Sequence, residues 1–245
     1  MKLIAANWKM HPDTIEQARR LASQVEHGII AVDRSKVEIA ICPPAVFMPA
    51  VRHAVHFVKV GSQNIAPDEA APHTGELRAS HLLQFDTKYV IVGHSERRNL
   101  GEDEALINKK ILYALEHGLE PILCVGFGLN SKSSFMSIKT TVKKQLEAAL
   151  KKVKVKTKLT IAYEPSGAIS RGLGHSKYID PKKACEAITY IKSLVPSATV
   201  IYGASIDSRN ARELAECPEI EGGLVGGSSL DALEFLKIIK EFTKP

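Results

Sequence analysis

Short runs of nearly unbroken apolar residues recur along the chain, separated by amphipathic stretches. The runs are KLIAANW from Lys2, VEIAICP from Val37, VKVGSQN from Val58, YVIVGHS from Tyr89, PILCVG from Pro121, LTIAYEP from Leu159, TVIYGAS from Thr199 and GGLVGG from Gly222. Continuous apolarity, where a half-exposed strand would alternate, marks strands buried on both faces, as in parallel sheets covered by helices. Between the runs the period lengthens. Ile15, Ala18, Ala22 and Val25 keep three-to-four spacing behind a Thr14 to Gln17 capping box. Ile107, Ile111, Ala114 and Leu115 do so before Gly118, and Ile138, Val142, Leu146 and Leu150 repeat the pattern. Eight strand–helix units in 245 residues predict one (β/α)8 barrel domain over 1–245, with eight parallel strands inside an outer ring of helices. Periodicity does not close a barrel, so a doubly wound open sheet stays as the alternative.

Composition narrows the function more than the fold. The chain is 44% hydrophobic, with 33 Lys and Arg against 27 Asp and Glu, a net charge of +6. That balance suits small anionic ligands and falls short of a nucleic-acid surface. The basic run KKVKVKTK at 151–158 lacks interleaved aromatic residues and reads as a solvated helix end, so no nucleic-acid partner is expected. No apolar run is long enough to cross a bilayer, and the apolar part of MKLIAANWKM is too short for a signal peptide, so no membrane association is expected. Four widely spaced cysteines without a CxxC, two of them (Cys42 and Cys124) in apolar runs, predict reduced thiols and a cytoplasmic location. His53 and His56 fall three apart on an expected helix with no third ligand nearby, so no metal is expected.

The chemistry gathers where strands end, the face that carries the active site in a barrel. The first strand ends in Asn7 and Lys9, the third in Gln63 and Asn64, the fourth in His94 and Glu96, and the sixth in Glu164. The last two end in Gly203-Ala204-Ser205 and Gly226-Gly227, whose main-chain N–H groups suit an anion, aided by a helix opening at Ser228 or Ser229. A carboxylate base, an imidazole donor and a lysine around one substrate fit proton transfer beside a carbonyl through an enediol or enediolate. That chemistry requires no cofactor and no metal.

Five motifs then occur in order: Asn7-Trp8-Lys9-Met10, GHSERR at 93–98, YEP at 163–165, YGAS at 202–205 and LVGG at 224–227. In order and spacing they resemble triosephosphate isomerase across the whole chain. The resemblance implies a TIM barrel and the interconversion of dihydroxyacetone phosphate and D-glyceraldehyde 3-phosphate, a reaction of glycolysis and gluconeogenesis. It implies Glu164 as base and His94 as a neutral electrophile beside a helix N-terminus that disfavours imidazolium. Lys9 is implied to stabilise the enediolate with Asn7 as its partner. Ser170, Ser205, Gly226 and Gly227 are implied to bind phosphate, with a mobile lid after Glu164. Glu96 and the two arginines after it are implied to support the site and the subunit interface. A homodimer is implied through the loop AAPHTGE at 70–76.

Departures from that family pattern cluster around the lid. Ser166 and Gly167 stand where an aliphatic residue and Trp are usual, Ser170 where Gly is usual, and Phe127 where Glu is usual after Cys124-Val125-Gly126. The expectation is that Phe127 seats the lid by packing and that Gly167, Gly172 and Gly174 loosen it. His73 replaces an aromatic residue in the 70–76 loop and His11 replaces Asn after Met10. Two other readings are a phosphate-binding protein without turnover, against which the intact Asn7, Lys9, His94 and Glu164 argue, and a nucleic-acid binder using the 151–158 run.

Overall fold

The strands form as the apolar runs predict, each followed by helix. A computed structural model describes residues 1–70, 72–154, 158–168 and 179–244. In chain order these hold β1 (Lys2–Asn7), α1 (Ile15–Gly28), β2 (Val37–Cys42), α2 (Met48–Ala54), β3 (Lys59–Ser62), α3 (Ala79–Leu83), β4 (Thr87–Val92) and α4 (Ser95–Asn99). There follow α5 (Glu104–Glu116), β5 (Glu120–Val125), α6 (Phe135–Ala149), β6 (Thr160–Tyr163), α7 (Pro181–Leu194), β7 (Thr199–Tyr202), α8 (Ala211–Ala215), β8 (Gly222–Val225) and α9 (Ala232–Thr243). All strand pairs are parallel and sequential, and β8 returns to β1 with Leu3 opposite Gly222 and Ala6 opposite Val225. The sheet is therefore a closed eight-stranded barrel, which decides against the open alternative.

Strand pleating sorts the buried residues into two cores. Leu3, Ala5, Ala40, Cys42, Tyr89, Ile91, Ile122, Cys124, Ala162, Ile201 and Leu224 cluster together inside the barrel. The alternate residues Ile4, Ala6, Ile39, Ile41, Val90 and Val92 face outward and pack with the apolar stripes of the helices. In α9, Phe235 and Phe242 are fully buried on that stripe, each stabilising the docked helix by roughly 1.5–3 kcal/mol. The expected capping box at Thr14 and Gln17 is formed at the start of α1, each side chain taking the other's main-chain N–H.

Polar residues plug one end of the barrel. Tyr89 O–H donates to the Glu38 carboxylate, which Lys88 Nζ also reaches at 2.7 Å. Burial pushes the Glu38 carboxyl up, but the Lys88 and Tyr89 hydrogen bonds and the lysine charge bring it, on balance, below its ordinary value. In the inner core, burial pushes the free Cys42 thiol up to about 12. Cys124 is raised as well, by burial first and then by the negative charge of Glu164.

Two expectations need correction. Cys185 on α7 and Cys217, between α8 and β8, are joined in a disulfide and are not reduced thiols. Packing of α7 beside that connection brings their Cα atoms to 5.9 Å, and the 32 residues between them hide the pairing from the sequence. His53 and His56 do not share a helix, because α2 ends at Ala54, and His53 Nδ1 lies 2.7 Å from the Pro49 carbonyl.

Candidate active site

Lys9 lies just past β1 with φ of 53°, a left-handed conformation that costs a non-glycine residue energy and so needs external support. Its N–H donates to Asn7 Oδ1 at 3.1 Å, and its carbonyl accepts from Gln63 Nε2 at 2.8 Å. Gln63 also donates to the Cys42 carbonyl at 2.9 Å, so the ends of three neighbouring strands hold one strained turn. The payoff is aim: the ammonium points back over the barrel mouth and meets Glu96 Oε1 at 2.6 Å.

His94 follows β4 by two residues and caps α4, which begins at Ser95, so the helix N-terminus that the resemblance implies beside His94 is present. Glu96 N–H donates to His94 Nδ1 at 3.2 Å, leaving the ring proton on Nε2. Nε2 lies 2.8 Å from Glu164 Oε1. Glu164 follows β6 and is almost fully buried. Its carboxylate also accepts from Ser95 N–H at 3.0 Å and Ser95 Oγ–H at 3.2 Å, which compensates a buried charge that would otherwise be costly.

One cleft unites Asn7, Lys9, His94 and Glu164 with Gly203, Ala204, Ser205, Gly226 and Gly227. Asn210 Nδ2 holds the Ser205 carbonyl at 2.8 Å, and Ser229 donates to the Gly226 carbonyl through Oγ at 2.6 Å and N–H at 2.8 Å. The helix expected to open at Ser228 or Ser229 is a 3-10 turn over Gly227–Leu230, and the longer α9 starts after its own cap, Asp231. A main-chain carbonyl fixed twice by Ser229 makes the tighter turn there. Ser170, with Gly172 and Gly174, lies outside the described residues, as does 155–157 of the basic run.

The segment after Glu164 is seated by hydrogen bonds. Gly128 N–H donates to Ser166 Oγ at 3.0 Å, and Gly167 N–H donates to the Leu129 carbonyl at 2.8 Å. Gly167 is there for closeness as much as for looseness, since a Cβ would stand 2.4 Å from that of Asn130. The half-buried ring of Phe127 sits beside Arg98, whose guanidinium carbon is 5.9 Å from the ring centroid. Arg98 itself is buried and ties the ends of β4 and β5 through the carbonyls of Gly93 (2.7 Å) and Cys124 (3.2 Å).

Sequence reasoning missed Ser95 and Gln145 and gave Gln63, named as a polar strand end, no role. Ser95 is a partner of the Glu164 carboxylate through both its N–H and its hydroxyl. Gln63 supports the Lys9 turn, a role that only the strand pairing reveals. Gln145 carried a signal, being a polar residue inside the apolar stripe Ile138, Val142, Leu146 of α6.

A carboxylate in contact with an imidazole N–H, with an ammonium and glycine-rich turns in the same cleft, can move a proton and steady a developing oxyanion. Fold and site together define a (β/α)8-barrel enzyme with its polar groups at the C-terminal mouth of the strands. A family model described as triosephosphate isomerase matches residues 2–242. The chain is 37% identical to the triosephosphate isomerase of Legionella pneumophila (strain Paris) over 250 residues, 98% of each chain. It is also 37% identical to those of Clostridium tetani, over 97% of this chain and 95% of that one, and Aquifex aeolicus, over 98% and 99%. The chain belongs to the triosephosphate isomerase family, whose members are aldose–ketose isomerases.

Proposed function

We propose that the protein interconverts dihydroxyacetone phosphate and D-glyceraldehyde 3-phosphate through an enediol(ate), with Glu164 as base and neutral His94 as electrophile. The observation that carries this reading is the 2.8 Å contact of Glu164 with His94 Nε2 inside a cleft shared with Lys9. Glu164 takes the proton from C1 of the ketose or C2 of the aldose. His94 Nε2–H gives its proton to the carbonyl oxygen as it becomes negative and then takes the proton of the neighbouring hydroxyl, while the Glu164 carboxyl, open to exchange with solvent, delivers a proton to the neighbouring carbon. An imidazolium has no lone pair at Nδ1, so the Glu96 N–H bond to that atom supports the neutral ring. Lys9, steadied by Asn7, offsets the enediolate charge; Ser170, Ser205, Gly226 and Gly227 hold the phosphate through main-chain N–H groups. Substrate must displace the Glu164–His94 contact, so the carboxylate shifts from Ser95 towards the carbon acid on binding.

The test is steady-state isomerase turnover with Glu164→Gln beside the wild type. Loss of the base should lower kcat by about 10²- to 10⁴-fold. Equal turnover in the two proteins would remove Glu164 from the role.

The working form on this reading is a homodimer in the cytoplasm. Exposed Met10 and Leu100 line a broad cleft that includes Ala45, Leu77 and Leu230. Residues 72–75 of the 70–76 loop are exposed and suited to fill that cleft in a second copy. Sedimentation that returned a monomer at micromolar concentration would contradict it.

A further inference from the structure

The turn at residues 126–130 touches the proposed base on both sides of its attachment. Glu164 N–H donates to the Val125 carbonyl at 2.6 Å, and Gly126 lies against the Glu164 carbonyl. With φ of 108° at Gly126, a conformation that strains any residue with a Cβ, an added Cβ would also stand 3.1 Å from the Glu164 carbonyl carbon and oxygen and push that main chain aside by a few tenths of an ångström. Two and three residues on, Gly128 and Leu129 bind Ser166 and Gly167. The backbone that carries the Glu164 carboxylate is thus set by where this turn sits.

One side chain from a rigid element anchors the turn. Gln145, buried on the inner face of α6, accepts the Gly126 N–H at 2.7 Å through Oε1 and donates to the Phe127 carbonyl at 3.0 Å through Nε2. Both amide functions are used on consecutive residues, on the peptide units that flank the 126–127 bond, so the turn can neither rotate nor lift without breaking one of these bonds. Helix α6 has no other stake in the cleft, since no residue of it lines the site among the described residues. We propose that Gln145 is a positioning residue for the reaction: acting through the 126–130 turn, it fixes the Glu164 backbone and the hinge at Ser166 and Gly167. This rests on the reading of Glu164 as base.

The test compares Gln145→Met, which keeps the length and loses both hydrogen bonds, with Gln145→Glu, at a temperature well below unfolding. Mispositioning of a reacting group by about 1 Å can cost on the order of 10²-fold in rate, so the Met variant should lose roughly 10- to 100-fold in kcat, with KM changed less than about twofold. In Gln145→Glu the carboxylate accepts from Gly126 but cannot donate to Phe127; protonated, it does both. Burial favours the protonated form, so the rate relative to wild type should rise as pH falls, a recovery that a purely structural role would not produce. Asn108→Ala serves as control: it removes bonds of like kind from Nδ2 to the Ala149 and Lys151 carbonyls at the far end of α6 and should leave kcat unaltered. Wild-type kcat in Gln145→Met, or a flat relative pH profile in Gln145→Glu, overturns the proposal. Glu164→Gln, run alongside, separates the two ideas. If it is inactive while Gln145→Met is normal, only the positioning role falls; if it is active, the base assignment falls and takes the positioning role with it.

Discussion

Replacing Cys185 by Ser removes the covalent tie between α7 and the segment that leads into β8. The bond closes a loop with a sequence separation of 32 residues. Chain-entropy arithmetic for a loop of that length gives about 3.7 kcal/mol of stability from restriction of the unfolded chain. For a chain of this size about 1 kcal/mol moves Tm by roughly 2–4 °C, so the variant should melt about 7–15 °C lower at equal protein concentration. Treating the wild type with a dithiol reductant should reproduce the shift, while the variant should not respond. Thiol titration in denaturant supplies the count: Cys42 and Cys124 alone without reductant, and all four cysteines after it. Turnover at 25 °C should change little, since neither bonded cysteine lines the cleft. Four titratable thiols before reduction, or equal Tm in variant and wild type under oxidising conditions, would refute the reasoning.

Lys110→Met should destabilise by about 1.5–3 kcal/mol, read from denaturant midpoints, because the buried Lys110 ammonium contacts Glu102 at 2.5 Å and Asn64 at 2.7 Å and its loss leaves the buried Glu102 carboxylate with Arg97 as its remaining cation; a change under about 0.5 kcal/mol would contradict this. Glu38→Gln should be less stable than wild type at neutral pH. The folded Glu38 carboxyl sits below its ordinary 4.5, so its contribution is complete above that pH and is lost as pH falls through the folded value. The stability gap should therefore narrow in acid, and a pH-independent gap would count against the Lys88–Glu38–Tyr89 account. Gly167→Ala should lower kcat, since its Cβ would stand 2.4 Å from that of Asn130 and drive the hinge off the turn; unchanged kinetics would show that the hinge contact is dispensable.

Fold and site were legible to different depths for physical reasons. Two-sided burial writes each strand as a continuous apolar run, and all eight runs became strands. Barrel closure depends on the β1–β8 register, a contact between residues more than 200 positions apart that no local period encodes. Lys9, His94 and Glu164 were visible because a cation, an imidazole and a carboxylate at strand ends break the apolar pattern. Gln63 was visible as a polar strand end but its role was not, and Ser95 and Gln145 were missed, since each of the three acts by one or two hydrogen bonds to groups distant in sequence. The disulfide escaped for the same reason, whereas Gly167 was noticed but read as looseness when its neighbour Asn130 gives it a packing role.

The most direct test of the central claim is deuterium incorporation during turnover. Glyceraldehyde 3-phosphate is converted in D2O and the dihydroxyacetone phosphate is examined for deuterium at C1. Proton abstraction from C2 by Glu164 lets the carboxyl proton exchange with solvent before delivery, so the product should carry deuterium at C1, and Glu164→Gln should abolish both turnover and label. Rapid isomerisation with unlabelled C1, or full labelling in Glu164→Gln, would contradict an enediol(ate) route through this carboxylate.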